Sequence, residues 1–177
     1  DAEYLALIIT VSDTITAAQG GIIVDATSVA TVDFSGAGSG ISDIFANLLT
    51  GNLATPTTKI SAKDTDIKVT ISDTVSITTQ DHRTQLNAII AATSGNVSGT
   101  VTGDVLQLAY LTKETTNTLN ISINDVATVA QIADIFEATI GTVTLKDVAH
   151  TFARSDFFND DNDVTTNTTA DYTSING

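Results

Sequence analysis

Cysteine, methionine and tryptophan are absent from the 177 residues, proline occurs once, and lysine and arginine together number 7. Without cysteine there is no disulfide framework, thiolate nucleophile or thiolate zinc site. Two histidines, His82 and His150, leave little material for a transition-metal cluster or a base-activated hydroxyl. The 7 cations stand against 21 acids, for a net charge of −14. They cannot form the basic stripe that nucleic acid requires, and anionic membrane surfaces are disfavoured for the same reason. Apolar runs stop at about six residues where a spanning helix needs roughly 20, so no membrane insertion is expected.

What is there is apolar enough to fold. A hydrophobic content of 42% argues against disorder despite the charge, and the length allows a domain with a real core. Threonine is abundant, with asparagine, aspartate and serine also common. An acidic, Thr-rich, Cys-free and Lys-poor composition is associated with large secreted bacterial surface proteins, so an extracellular or cell-surface location is expected. The chain starts at Asp1 with neither initiator Met nor signal peptide, and reads as a mature or excised piece of something longer.

The chain repeats itself. Ile9-Thr10-Val11-Ser12-Asp13-Thr14-Ile15 matches Val69-Thr70-Ile71-Ser72-Asp73-Thr74-Val75. Ile121-Ser122-Ile123-Asn124-Asp125-Val126 and Val143-Thr144-Leu145-Lys146-Asp147-Val148 keep the alternation and the Asp. Weaker copies, Val32 to Gly36 and Val97 to Gly103, end in Gly, and Gly99 takes an inward apolar position in the second. Period-two alternation rich in Val, Ile and Thr marks strands with one buried face. Aligning Val11, Phe34, Ile71, Val101, Ile123 and Leu145 gives spacings of 23, 37, 30, 22 and 22. A unit of about 22 residues, twice enlarged, fits within known repeat lengths.

Between strands the period becomes helical. Val129, Ile132, Ala133, Phe136 and Ile140 form one stripe. Ile41, Ile44, Phe45, Leu48 and Leu49 form another, and Leu86, Ile89, Ile90 and Thr93 a weaker third; such stripes bury one helix face. Thr128-Val129-Ala130-Gln131 and Thr16-Ala17-Ala18-Gln19 match the capping box, and Gly51, Gly95 and Gly141 are stop signals. Gly20-Gly21 weakens the helix after Thr16, and Asp104 to Leu111 fits a short helix or a strand. Strands alternating with helices imply parallel pairing through right-handed crossovers. The expected fold is therefore α/β, an open one-sided βα-repeat solenoid with a parallel sheet. Thr10 and Ser12, Lys68, Thr70 and Ser72, Ser98, Thr100 and Thr102, Asn120, Ser122 and Asn124, and Thr142, Thr144 and Lys146 would line its uncovered face. The competing fold, two β-sandwich modules, predicts strands throughout and almost no helix. Residues 1–153 are assigned to the solenoid with a loop insertion near 51–66, and 154–177 to an acidic Thr/Asn-rich tail, cap or linker.

Three stretches, "VTISDT", "QLNAIIAATSGNVSGTVTG" and "LNISINDVATVAQIADIFEATIGTVTLKD", together resemble repeat arrays of very large bacterial extracellular proteins of the surface-layer or adhesin type. Some of those carry calcium-binding repeats and leave the cell by type I secretion. The resemblance covers roughly residues 67–148, with an echo over 7–50. It implies a cell-surface location and structural use, and supplies no catalytic residues.

Candidate metal ligands fall in two groups. Asp13, Asp73, Asp125 and Asp147 would stack at one rim, at the strand-to-helix turns. There they either cap helices by accepting backbone N–H groups or hold calcium between units. Asn159, Asp161 and Asp163 have the alternating spacing of a calcium loop's opening ligands. Val164 replaces the expected Gly, and a solvated acidic linker is the other reading. Gly36-Ala37-Gly38-Ser39-Gly40 fails both the dinucleotide and the P-loop patterns and reads as a turn. Neither histidine has a nucleophile and an orienting acid in its local motif, so no enzyme is expected. The expected role is structural, a layer, filament or adhesin stalk built by self-association with identical or neighbouring subunits. The alternative is a module whose polar strand face binds cell-surface glycan or a partner. Having 3 Tyr and no Trp leaves few rigid aromatic contacts for it.

Overall fold

The computed structural model describes residues 8–27, 31–34, 40–50 and 60–146. Asp147, His150 and the Asn159, Asp161 and Asp163 cluster lie outside the described residues, as do 36–39 of the glycine-rich segment and most of the 51–66 insertion.

The elements in chain order are β1 (Ile9–Thr10), β2 (Thr14–Ile15), α1 (Ala17–Ala26), β3 (Val32–Asp33), β4 (Gly40–Asp43), α2 (Phe45–Thr50) and β5 (Val69–Ile77). After them come α3 (Gln80–Ala91), β6 (Val97–Gly103), α4 (Val105–Leu108), β7 (Thr118–Ile123), α5 (Val129–Glu137) and β8 (Val143–Leu145). Every pairing is parallel. The main sheet has 6 strands in the order β2-β4-β5-β6-β7-β8, and β1 pairs with β3 in a separate ribbon. Each main-sheet strand therefore lies beside the one before it, as a chain returning through a helix must place it. Consecutive helices touch from α1 to α5, so they form a row. The protein is α/β with a parallel sheet, and its helices and parallel ladders exclude the paired β-sandwich.

Alternation decides which face the helices cover. Val69, Ile71, Val75 and Ile77 of β5 are buried, as are Val97, Val101, Leu119, Ile121 and Ile123, in one core with Leu48, Leu86, Ile89, Ile90, Leu108, Ile132 and Ile135. Each such side chain contributes roughly 1.5–3 kcal/mol on burial. The intervening Thr70, Ser72, Thr74, Ser76, Thr100, Asn120 and Thr144 are exposed. A sheet with helices on both faces would need apolar residues there too.

Three sequence expectations change. The segment Ile9 to Ile15 is not one strand: it breaks at a bend, so that β1 pairs with β3 and β2 with β4. The second main-sheet strand is not Val32 to Gly36 but β4, whose Ile41 is buried in strand geometry rather than opening a helix. Offsets then follow the register. Thr14 pairs with Gly40, Ile41 with Val69, Val69 with Val97, Val101 with Ile121, and Ile121 with Val143, offsets of 26, 28, 28, 20 and 22 residues. The paired strands thus keep no single 22-residue spacing: the offsets are longer before β6 than after it.

Helix α1 forms in spite of its two glycines. Its capping box is complete, with Thr16 Oγ1 accepting from Gln19 N and Gln19 Oε1 accepting from Thr16 N. Gly20 lets the helix lie close, since a Cβ there would come within 2.8 Å of Ile60 Cδ1. The same hydroxyl device recurs where α3 and α5 return to the sheet. Thr93 Oγ1 donates to Ile67 O and accepts from Gly95 N, and Thr139 Oγ1 donates to Leu119 O and accepts from Gly141 N.

Candidate functional site: a polar groove across the open face of the sheet

Parallel register turns the uncovered alternate positions into rows. Thr70 pairs with Ser98 and Ser98 with Thr118; Thr74 pairs with Thr100 and Thr100 with Asn120. Ser76, Thr102, Ser122 and Thr144 form a third row. Within the first row Thr70 Oγ1 and Ser98 Oγ are 3.1 Å apart; between strands, Thr102 Oγ1 donates to Asn124 Oδ1 just past the end of β7, and the backbone N–H of Thr142 donates to Asn120 Oδ1.

The lattice is interrupted at one place. Between the Thr70–Ser98 and Thr74–Thr100 pairs, β5 carries Ile71, Ser72 and Asp73 where β6 has Gly99 alone. This bulge inserts extra residues, bends its strand and re-aims the side chains on it. Gly99 makes it possible, with φ +157 and a position where a Cβ would lie 2.9 Å from Ile71 Cβ. The result is a groove of about 550 Å³ crossing β5, β6, β7 and the turn into β8. Among the described residues, Asp73 is the only ionisable one lining it.

Asp73 also has a partner outside the groove. Its Oδ1 accepts from Phe45 N, at the start of α2, at 2.7 Å. Two other aspartates do the same: Asp43 Oδ2 accepts from Ala17 N and Asp125 Oδ1 from Val105 N, the first residues of α1 and α4. In every case the carboxylate lies on a later main-sheet strand or just past its end, and caps a helix that comes before that strand in the chain. Capping is therefore the role the geometry gives Asp73 and Asp125, directed at the helix before each of them in the chain rather than the one after.

The expected column of Asp13, Asp73, Asp125 and Asp147 does not form among the described residues. Asp13 is exposed in the bend between β1 and β2, Asp73 lies inside β5, and Asp125 follows the end of β7. No three His, Cys, Asp or Glu side chains among the described residues gather as a metal site. Asp43 escapes a reading of the sequence because the apolar stripe places Ile41 in a helix. The signal was present, since Ile41-Ser42-Asp43 repeats Ile71-Ser72-Asp73.

A smaller cavity of about 260 Å³ lies beside the β1–β3 ribbon and is lined by Asp33, Lys63, Asp64 and Asp66. Asp64, only 6% exposed, accepts from Phe34 N and Asp66 N. Burial pushes its pKa up and hydrogen bonding with the Asp66 side chain adds to this, against the two backbone N–H groups. His82 is half-buried on α3, with its backbone N–H on Thr79 Oγ1 and its ring Nδ1 without a hydrogen-bond partner. The neighbouring Arg83 guanidinium lies 5.3 Å from the centre of the Tyr110 ring. No helix among the described residues is long and apolar enough to cross a membrane. Compared with protein-family models, with curated proteins and with solved structures, the chain matches none.

Proposed function

We propose that this chain is a structural segment of an extracellular surface protein, in which βα units stack as an open solenoid to build a layer, filament or adhesin stalk. The observation that carries the reading is the strand order, which follows the chain order with all strands parallel. An in-order stack extends by adding units at its ends, each contacting only its neighbour. The aspartate on each of three successive-unit contacts ties a helix to the unit that follows it, which suits a body that transmits load along its axis. Strands β2 and β8 each have one partner within the main sheet, and an edge strand is a template for pairing with another chain. The resemblance to surface-layer and adhesin arrays supports the same reading.

Net charge of −14 opposes association of free subunits at low ionic strength. Calcium is proposed as the ion that relieves this, through the segment holding Asn159, Asp161 and Asp163. Sedimentation velocity of the chain in millimolar calcium and in EDTA tests both parts. Large species only with calcium support ion-gated assembly, and large species in both conditions support assembly without the ion. A monomer in both, up to high protein concentration, sinks self-association.

A further inference from the structure

We propose that the bulge-centred groove is a binding site for a neutral, hydroxyl-rich chain, an oligosaccharide, lying across strands β5 to β8. The inference goes beyond the stacking role and does not depend on assembly.

The lining selects this chemistry. Ser72, Thr74, Ser98, Thr100 and Asn120 present hydroxyl and amide groups, and among the described residues no Lys, Arg, His or aromatic side chain lines the groove. Phosphate, sialate and nucleic acid therefore find neither a cation nor a stacking surface there. Hydroxyl groups both donate and accept, so a ligand that does the same can satisfy them in either sense. Successive strands lie 4.7–4.9 Å apart, so a groove crossing four of them is about 14 Å long. That is longer than one sugar ring and favours a short linear chain. Its volume falls within the usual range for ligand clefts.

Asp73 gives the site a fixed point. With Oδ1 held by Phe45 N, the carboxylate is oriented before any ligand arrives, and a carboxylate accepts hydroxyl groups in short, strong hydrogen bonds. Ile140, 68% exposed, stands at the rim and offers an apolar patch to the C–H face of a ring. The bulge explains why the site is here and not elsewhere on the lattice, because bulges re-aim side chains beside functional sites. Lacking aromatic platforms, the groove is expected to bind single chains weakly, with Kd of roughly millimolar.

The test is a two-dimensional amide NMR titration of the full 177-residue chain, kept in EDTA. The probes are linear cello-, chito- and manno-oligosaccharides of three to five rings, with a sialylated trisaccharide as the charged comparator. At least one neutral probe should shift the amides of Ser98, Gly99, Thr100 and Asn120. D73N, which keeps an acceptor for Phe45 N, should weaken that probe about tenfold, and the near-isosteric T100V about threefold. T144V, on the same face but outside the groove, should leave it unchanged. If no neutral probe moves these amides, if the shifts map elsewhere, or if the sialylated sugar binds more tightly, the proposal is overturned. Should D73N fail to fold, T100V against T144V decides the matter. Because EDTA removes the ion invoked for assembly, failure of the groove and failure of self-association are read separately.

Discussion

Gly99 carries the strongest single-residue constraint on the sheet. Its φ of +157 and the 2.9 Å approach to Ile71 Cβ place G99A against both backbone strain and contact. The expected cost is about 1–3 kcal/mol, seen as a lower urea midpoint with the m-value unchanged. D125A removes the acceptor for Val105 N and should cost about 1 kcal/mol, the usual size of a lost cap; equal stability to wild type would show that the cross-unit contact contributes nothing. Asp64 should show up in the pH dependence. Its folded pKa is raised by burial and by Asp66, so the folded state binds the proton more tightly than the unfolded one. The stability this group contributes is fully present below the ordinary carboxylate value and lost as pH rises through the raised folded value. Asp33, Lys63 and Asp66 line the same cavity. The D64N protein should lose that acid-side rise in urea midpoint, and an unchanged profile would assign the rise to other groups.

Among the elements, α5 was the most legible in advance. Thr128 and Gln131 form the complete capping box and Ile132 is buried as expected, but Ile135 rather than Ala133 completes the buried face, and Ile140 lies exposed beyond the helix end. I135A should cost about 2–5 kcal/mol and T128A about 1 kcal/mol, both measurable by urea denaturation; near-zero losses would mean that α5 is not docked. Helix α1 formed against its glycines because close packing on Ile60 and Ile41 rewards a missing Cβ. Strand β4 was the main misreading. Four residues are too few for alternation to declare itself, and its flanking apolar residues continue into α2, so a helical stripe absorbed the strand. Only pairing with β5 made the distinction. The bulge left a trace in the sequence, since Ser72-Asp73-Thr74 puts three polar residues in a row where alternation calls for an apolar one, but the slip itself exists only relative to β6.

Across the whole molecule, stability should be graded. The β5, β6 and β7 amides sit in the longest ladders, whereas β1 and β3 pair over two residues in a separate ribbon. Hydrogen exchange should therefore open the β1–β3 ribbon first and the β5–β7 ladder last, as local unfolding follows contact density. Equal protection of Val32 and Val101 amides would contradict a graded stack.

Period-two and helical alternation, caps and composition were sufficient for the α/β class, the parallel sheet, the buried face and most helices, because each rests on neighbours along the chain. Which strand follows which at what offset, and where a carboxylate finds a helix, depends on groups 20 to 28 residues apart. Asp13, Asp73 and Asp125 look equivalent in sequence, yet pairing register gives the last two different helices to cap and leaves the first in a bend. The groove follows the same logic: its residues come from four segments, and only the slip of β5 past Gly99 brings them around one space.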